Sequence, residues 1–76
     1  MEKLKCPCCG YLTIQEDFDV CPVCYWEHDP VQESDEKSYM GANNNTCLLY
    51  ARLTYLFFGY CREDFALFVR KPKEGE

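Results

Sequence analysis

Residues 6–11 read Cys-Pro-Cys-Cys-Gly-Tyr and residues 21–24 read Cys-Pro-Val-Cys. Each stretch holds a C-x-x-C tetrapeptide, Cys6 to Cys9 and Cys21 to Cys24. Such a tetrapeptide turns tightly, aims both sulfurs at one point and leaves backbone N–H groups behind the turn to donate to them. Two such turns facing one another complete a tetrahedron. Eleven residues separate Cys9 from Cys21, close to the interval of about 15–20 in four-cysteine zinc sites and long enough for a short β-hairpin. Gly10 supplies a positive φ where the chain leaves the first turn, and Pro7 and Pro22 fix φ inside the turns without removing a needed donor. The predicted metal ligands are therefore Cys6, Cys9, Cys21 and Cys24, holding one Zn per chain, with Fe as the alternative ion.

The remaining cysteines and the one histidine read differently. Cys8 could reach a metal through Cys6-x-Cys8, but the C-x-x-C geometry favours Cys9, which leaves Cys8 as a thiol beside the cluster. A reactive thiol would need nearby positive charge to lower its pKa, and four thiolates on one divalent ion carry −2. His28 stands four residues after Cys24 and could replace a cysteine, yet Glu27 and Asp29 flank it and suggest an acidic, solvated loop. Cys47 and Cys61 fall on the later helical segment, about 21 Å apart if one helix is continuous, and read as small buried hydrophobes.

Length limits what else the chain can be. Of 76 residues about 47 % are hydrophobic, but seven of these are cysteines. A core this thin supplies no more than about 3–5 kcal/mol, so a metal, a disulfide or a partner must add to it. A Rossmann unit, a barrel or an interdomain cleft does not fit. The net charge is −5, and it is uneven: residues 1–37 carry nine acids and three bases, residues 38–76 four acids and five bases. A site of −2 in the acidic half repels phosphate, so nucleic acid is not an expected partner. No membrane-spanning run and no apolar signal region stand out, and a cytoplasmic location is expected. There disulfides are rare and paired cysteines bind metals.

Beyond the cysteine turns, Tyr25 and Trp26 are expected to cover the sulfurs and dock them on the helices. Residues 27–36 are polar, acidic and without hydrophobic period, and read as a loop whose five acids could meet a basic partner. Asn43, Asn44, Asn45 and Thr46 suit a helix start; Asn44-Asn45-Thr46 also forms a glycosylation sequon, taken as part of that start. Leu49, Leu53, Leu56, Phe57 and Tyr60 recur at helical spacing as an apolar face, Cys47, Ala51, Thr54 and Phe58 form a second flank, and Gly59 marks the end. A second short helix is expected where Glu63 and Asp64 precede Phe65, Phe68 and Val69, ending before Pro72. Arg70, Lys71 and Lys73 read as a solvated basic patch. The organisation expected is one domain over 1–76: metal turns and hairpin at 1–29, loop at 30–45, helices at 46–70, polar tail at 71–76.

The two turns resemble those of rubredoxins and zinc ribbons, except that Tyr25 stands where the second rubredoxin turn has glycine and the interval between turns is shorter. Taken with Gly41, Leu48, Ala51-Arg52, Phe58-Gly59 and Val69-Arg70-Lys71-Pro72, the cysteine motifs resemble the bacterial cysteine-rich CPCC family over nearly the whole chain. The resemblance implies a zinc-binding domain and no established reaction; His28, Cys47 and Cys61 lie outside the family pattern. The fold expected is small α+β, a metal-stabilised rubredoxin-like zinc ribbon hairpin followed by an acidic loop and two C-terminal helices. The function expected is a non-catalytic module that binds another protein. Rubredoxin-like electron transfer and a thiol redox switch are the alternatives. A hydrolytic zinc enzyme would need an open coordination position that four thiolates do not leave.

Overall fold

Two strands, β1 (Leu4–Lys5) and β2 (Leu12–Ile14), pair antiparallel around the first cysteine turn in the computed structural model, which describes residues 2–76. Leu4 sits opposite Ile14 and Lys5 opposite Leu12, with a bulge between the two pairs. The hairpin thus encloses Cys6–Cys9 and does not fill the interval between Cys9 and Cys21, where the spacing had suggested it. The reason is local: the C-x-x-C turn is itself the reversal, so the strands form on either side of it. The second turn is enclosed in the same way by a single bridge between Val20 and Glu27.

The segment read as a loop after Trp26 contains a one-turn helix, α1 (Pro30–Glu33). Asp29 caps it by accepting from the Val31 and Gln32 N–H groups, and Pro30 occupies the first helical position, where its missing donor costs nothing. Helix α2 (Leu48–Phe58) follows, and Gly59 closes it at φ 82°, its N–H donating to Tyr55 O at 2.8 Å. Its start is not the asparagine cap expected. Cys47 occupies the cap without a side-chain bond, while Leu49 N–H donates to Glu36 O at 2.9 Å, satisfying one of the free donors of the first turn. The second C-terminal helix contracts to a single 3₁₀ turn at Glu63–Phe65, because Phe65 and Phe68 pack onto Tyr25 with ring centroids 4.8 and 5.6 Å away. That geometry follows an aromatic surface rather than a helical period.

The face of α2 turned inward is also not the one expected. Leu48 and Ala51 are buried with Tyr55 beside them, whereas Leu49, Leu53, Leu56 and Phe57 are solvent-exposed. Both sides of this helix are apolar, so periodicity alone does not choose between them. Small Ala51 does: it lets α2 lie close against the cysteine turns. The core formed there comprises ten buried side chains, of which five are Cys6, Cys8, Cys21, Cys24 and Cys61. Half of the packed centre is therefore sulfur, and Trp26, Ile14, Val23, Leu48 and Ala51 close around it. The tail also departs from expectation, since Arg70 is not free in solvent. Its guanidinium holds Glu76 in a two-pronged pair at 2.8 and 2.9 Å, and the backbone O of Glu76 accepts from Leu12 N–H at 2.8 Å. This pair lowers the Glu76 carboxyl to about 2, Arg70 being the main cause.

Candidate metal centre

The two cysteine turns repeat one another bond for bond. In the first, Gly10 N–H donates to Cys6 O and Cys6 N–H to Tyr11 O, both at 2.8 Å. Fifteen residues on, Tyr25 N–H donates to Cys21 O at 2.7 Å and Cys21 N–H to Trp26 O at 2.9 Å. Each turn ends on a residue with positive φ, 83° at Gly10 and 73° at Tyr25. Glycine takes this conformation freely, whereas tyrosine adopts it at a cost of about 1–2 kcal/mol. What holds Tyr25 there is its ring, packed between Phe65 and Phe68. The expected order of stability in urea unfolding of the metal-loaded protein is therefore wild type, then Tyr25→Gly, then Tyr25→Ala. Both variants lose the aromatic packing, but only alanine keeps the strain, placing it about 1 kcal/mol below glycine. An alanine variant as stable as the glycine one would show that the backbone there is unstrained.

Facing turns bring the Sγ atoms of Cys6, Cys9, Cys21 and Cys24 within 4.8 Å of one another. Cys6 Sγ lies 3.6 Å from Cys24 Sγ, and Cys9 Sγ 3.7 Å from Cys21 Sγ. A disulfide would need about 2.05 Å, and all seven cysteines are free. A tetrahedron with metal–sulfur bonds of about 2.3 Å has edges of about 3.8 Å, so these two separations suit a four-sulfur group that could hold a metal ion. Three of the four residues are buried and Cys9 is partly so.

Protons and donors are arranged to match. Cys24, Cys6 and Cys9 all share hydrogen bonds with the Cys21 sulfur and Thr13 Oγ1 donates to it at 3.0 Å, which together lower the Cys21 thiol below its ordinary range. Sharing with Cys21 pushes Cys6, Cys9 and Cys24 upward. Four thiols packed this closely do not all ionise together without a counter-charge. A divalent cation removes that constraint, and its uptake must release protons. Trp26 N–H also donates to Cys24 Sγ, at 3.4 Å. Sequence reasoning missed Thr13, because a threonine in a three-residue strand has no pattern that marks it as a sulfur donor.

The later half of the chain grips both turns by their carbonyls. Arg52 Nε donates to Pro7 O at 2.8 Å, Arg70 N–H to Pro22 O at 3.1 Å, and Cys61 N–H to Cys24 O at 2.8 Å. Cys61 thus lies past the end of α2 and against the second turn, and burial pushes its thiol up to about 12. Cys8 and Cys47 are buried as well, and none of these three joins the four-sulfur group. His28 is turned away from it, with Nδ1 3.0 Å from the Glu33 carboxylate and Nε2 3.7 Å from Asp17. The same carboxylate accepts from Trp26 Nε1 at 2.9 Å and from Asp29 N–H at 2.8 Å. Glu33 therefore fixes the indole that covers the centre, and the segment read as a solvated acidic loop has Asp29 and Glu33 turned inward.

The family model described as Cysteine-rich CPCC matches residues 4–76. The chain belongs to the cysteine-rich CPCC family. No curated protein is similar enough to count as a relative. The positions that carried the CPCC resemblance have physical work in this fold. Leu48 and Ala51 pack on the sulfurs, Arg52 holds the first turn, Arg70 the second, and Gly59 ends α2. Among the described residues no helix is long and apolar enough to cross a membrane.

Proposed function

We propose that this CPCC protein is a non-catalytic zinc-binding module of a reducing, cytoplasmic environment, with Cys6, Cys9, Cys21 and Cys24 as the four ligands of one zinc ion and another protein as its partner. The observation that carries this reading is the set of sulfur separations near 3.7 Å between two equivalent turns. Four thiolates close the coordination sphere, which leaves no position for a substrate or an activated water. The metal then serves the fold, and the fold presents a surface. The acidic segment is a poor candidate for that surface. Asp29 and Glu33 are engaged internally, and Glu36 faces Arg52 at 3.3 Å.

A tetrahedral four-sulfur site also accepts iron, so electron transfer of the rubredoxin kind is the competing reading. Elemental analysis of protein purified without added metal separates the two. About one zinc and no iron per chain is the expected result. About one iron, with a reversible potential and the colour of ferric thiolate, would overturn the zinc reading, and a metal-free folded protein would overturn both.

A further inference from the structure

Helix α2 has two apolar faces, and among the described residues only one is packed against the rest of the chain. Leu48, Ala51 and Tyr55 turn toward the sulfurs, while Leu49, Tyr50, Leu53, Leu56 and Phe57 occupy the opposite arc. These five are 37, 59, 48, 77 and 78 % exposed. Leu49, Leu53 and Leu56 follow the i, i+4, i+7 spacing of a helix-pairing seam, with the rings of Tyr50 and Phe57 beside them. At about 200 Å² for each such side chain the arc exposes on the order of 600 Å², as large as the largest apolar patch of an ordinary monomer.

We propose that this arc is a dimer interface and that a second copy of this chain occupies it. The inference names the partner of the module proposed above and rests on the metal site that holds α2 in place. Area supports it: two such arcs in contact remove about 1,200 Å², the lower bound of specific interfaces. Charge supports it too. Two copies of a chain at −5 repel overall, and a contact face without charge adds nothing to that repulsion. The single charged residue of α2 is Arg52, which turns to Pro7 O and Glu36. An uncharged seam of leucines offers nothing to a charged partner and matches another seam of the same kind, which a second copy supplies at equal concentration. Crossing antiparallel about a two-fold axis, the helices also oppose their dipoles.

In that arrangement the two-fold axis passes near Leu53, the midpoint of the seam, so Leu53→Glu sets two carboxylates against each other. Sedimentation equilibrium of the 76-residue zinc-loaded protein is the test, with zinc content and circular dichroism measured on the same samples. Wild type is expected to dimerise with a dissociation constant on the order of 10 μM. Leu53→Glu is expected to weaken this by about 100-fold or more with zinc and spectrum unchanged, because the position is half exposed and the variant folds. Val31→Glu is the control, adding the same charge at an apolar residue that is 81 % exposed on α1, and it is expected to leave the dimer intact. A wild type that stays monomeric with one zinc bound overturns the dimer and leaves the metal reading standing. Equal dissociation by both variants overturns it as well, since net charge rather than the seam would then be responsible. A dimer that holds no metal supports the interface and refutes the zinc module.

Discussion

Removing the metal with a strong chelator is expected to unfold the protein: far-ultraviolet circular dichroism should lose the signal of α2, and adding back one equivalent of zinc should restore it. The metal term is the larger one. Structural zinc contributes about 10–16 kcal/mol of apparent folding free energy to small domains, against the ~3–5 kcal/mol that a core of this size supplies. Here the dependence is sharper than size alone implies, because five of the ten core side chains are cysteines. Without a cation four of those sulfurs cannot ionise together, and the centre around which Trp26, Leu48 and Ala51 pack loses its fixed geometry. Cys21→Ser is expected to reproduce the effect, since a serine hydroxyl at that corner stays protonated and cannot replace a thiolate. Cys8→Ser should keep one zinc and lose no more than about 2 kcal/mol, the cost of a buried hydroxyl. A native spectrum in the metal-free protein would refute the account, and loss of zinc from the Cys8 variant alone would move the ligand assignment.

Spacing makes the four-sulfur group legible in the sequence, because C-x-x-C constrains both sulfurs within one turn and needs no knowledge of the rest of the fold. The end of α2 at Gly59 and the burial of Trp26 were legible for similar reasons: each depends on a residue whose own chemistry admits few alternatives. The inward face of α2 was not. Leu48 and Ala51 on one side and Leu49, Leu53 and Leu56 on the other are equally apolar, and the choice is made by how closely a helix can approach the cysteine turns. Asp29-Pro30 did carry a helix-start signal, a capping side chain followed by proline at the first position. It went unread because one helical turn is too short to show a period. The 3₁₀ turn at Glu63–Phe65 replaced a helix because Tyr25, some forty residues earlier, sets where the phenylalanines go.

The least legible part of the structure is a buried polar knot, and its removal should be nearly as damaging as loss of a ligand. Gln32 is 1 % exposed. Its Nε2 lies 3.0–3.1 Å from the carbonyls of Ser38, Asn43 and Thr46, which share its two hydrogens, and its Oε1 accepts from Asn43 N–H at 2.9 Å and Asn43 Nδ2 at 3.1 Å. One side chain thus ties together three points, Ser38, Asn43 and Thr46, of the connection between α1 and α2. Gln32→Leu keeps the volume but leaves these buried groups without partners, at about 1–3 kcal/mol for each one that water cannot reach. A net loss of about 3–5 kcal/mol is expected. Gly41 seals the same knot from outside: at φ 145° a Cβ there would stand 2.7 Å from Asp29 Oδ2 and 2.8 Å from Gln32 Cβ. Neither atom can yield, because Asp29 caps α1 and accepts from Ala42 N–H at 2.9 Å, the bond that contributes most to holding its carboxyl below the usual range. Gly41→Ala is therefore expected to match Gln32→Leu in cost, and the double variant to cost little more than either alone, since both break one network. Denaturant titration of the zinc-loaded proteins measures all three. Additive losses would show that Gly41 acts through its backbone alone, and a stable Gln32→Leu would mean that the connection between the helices does not depend on this residue.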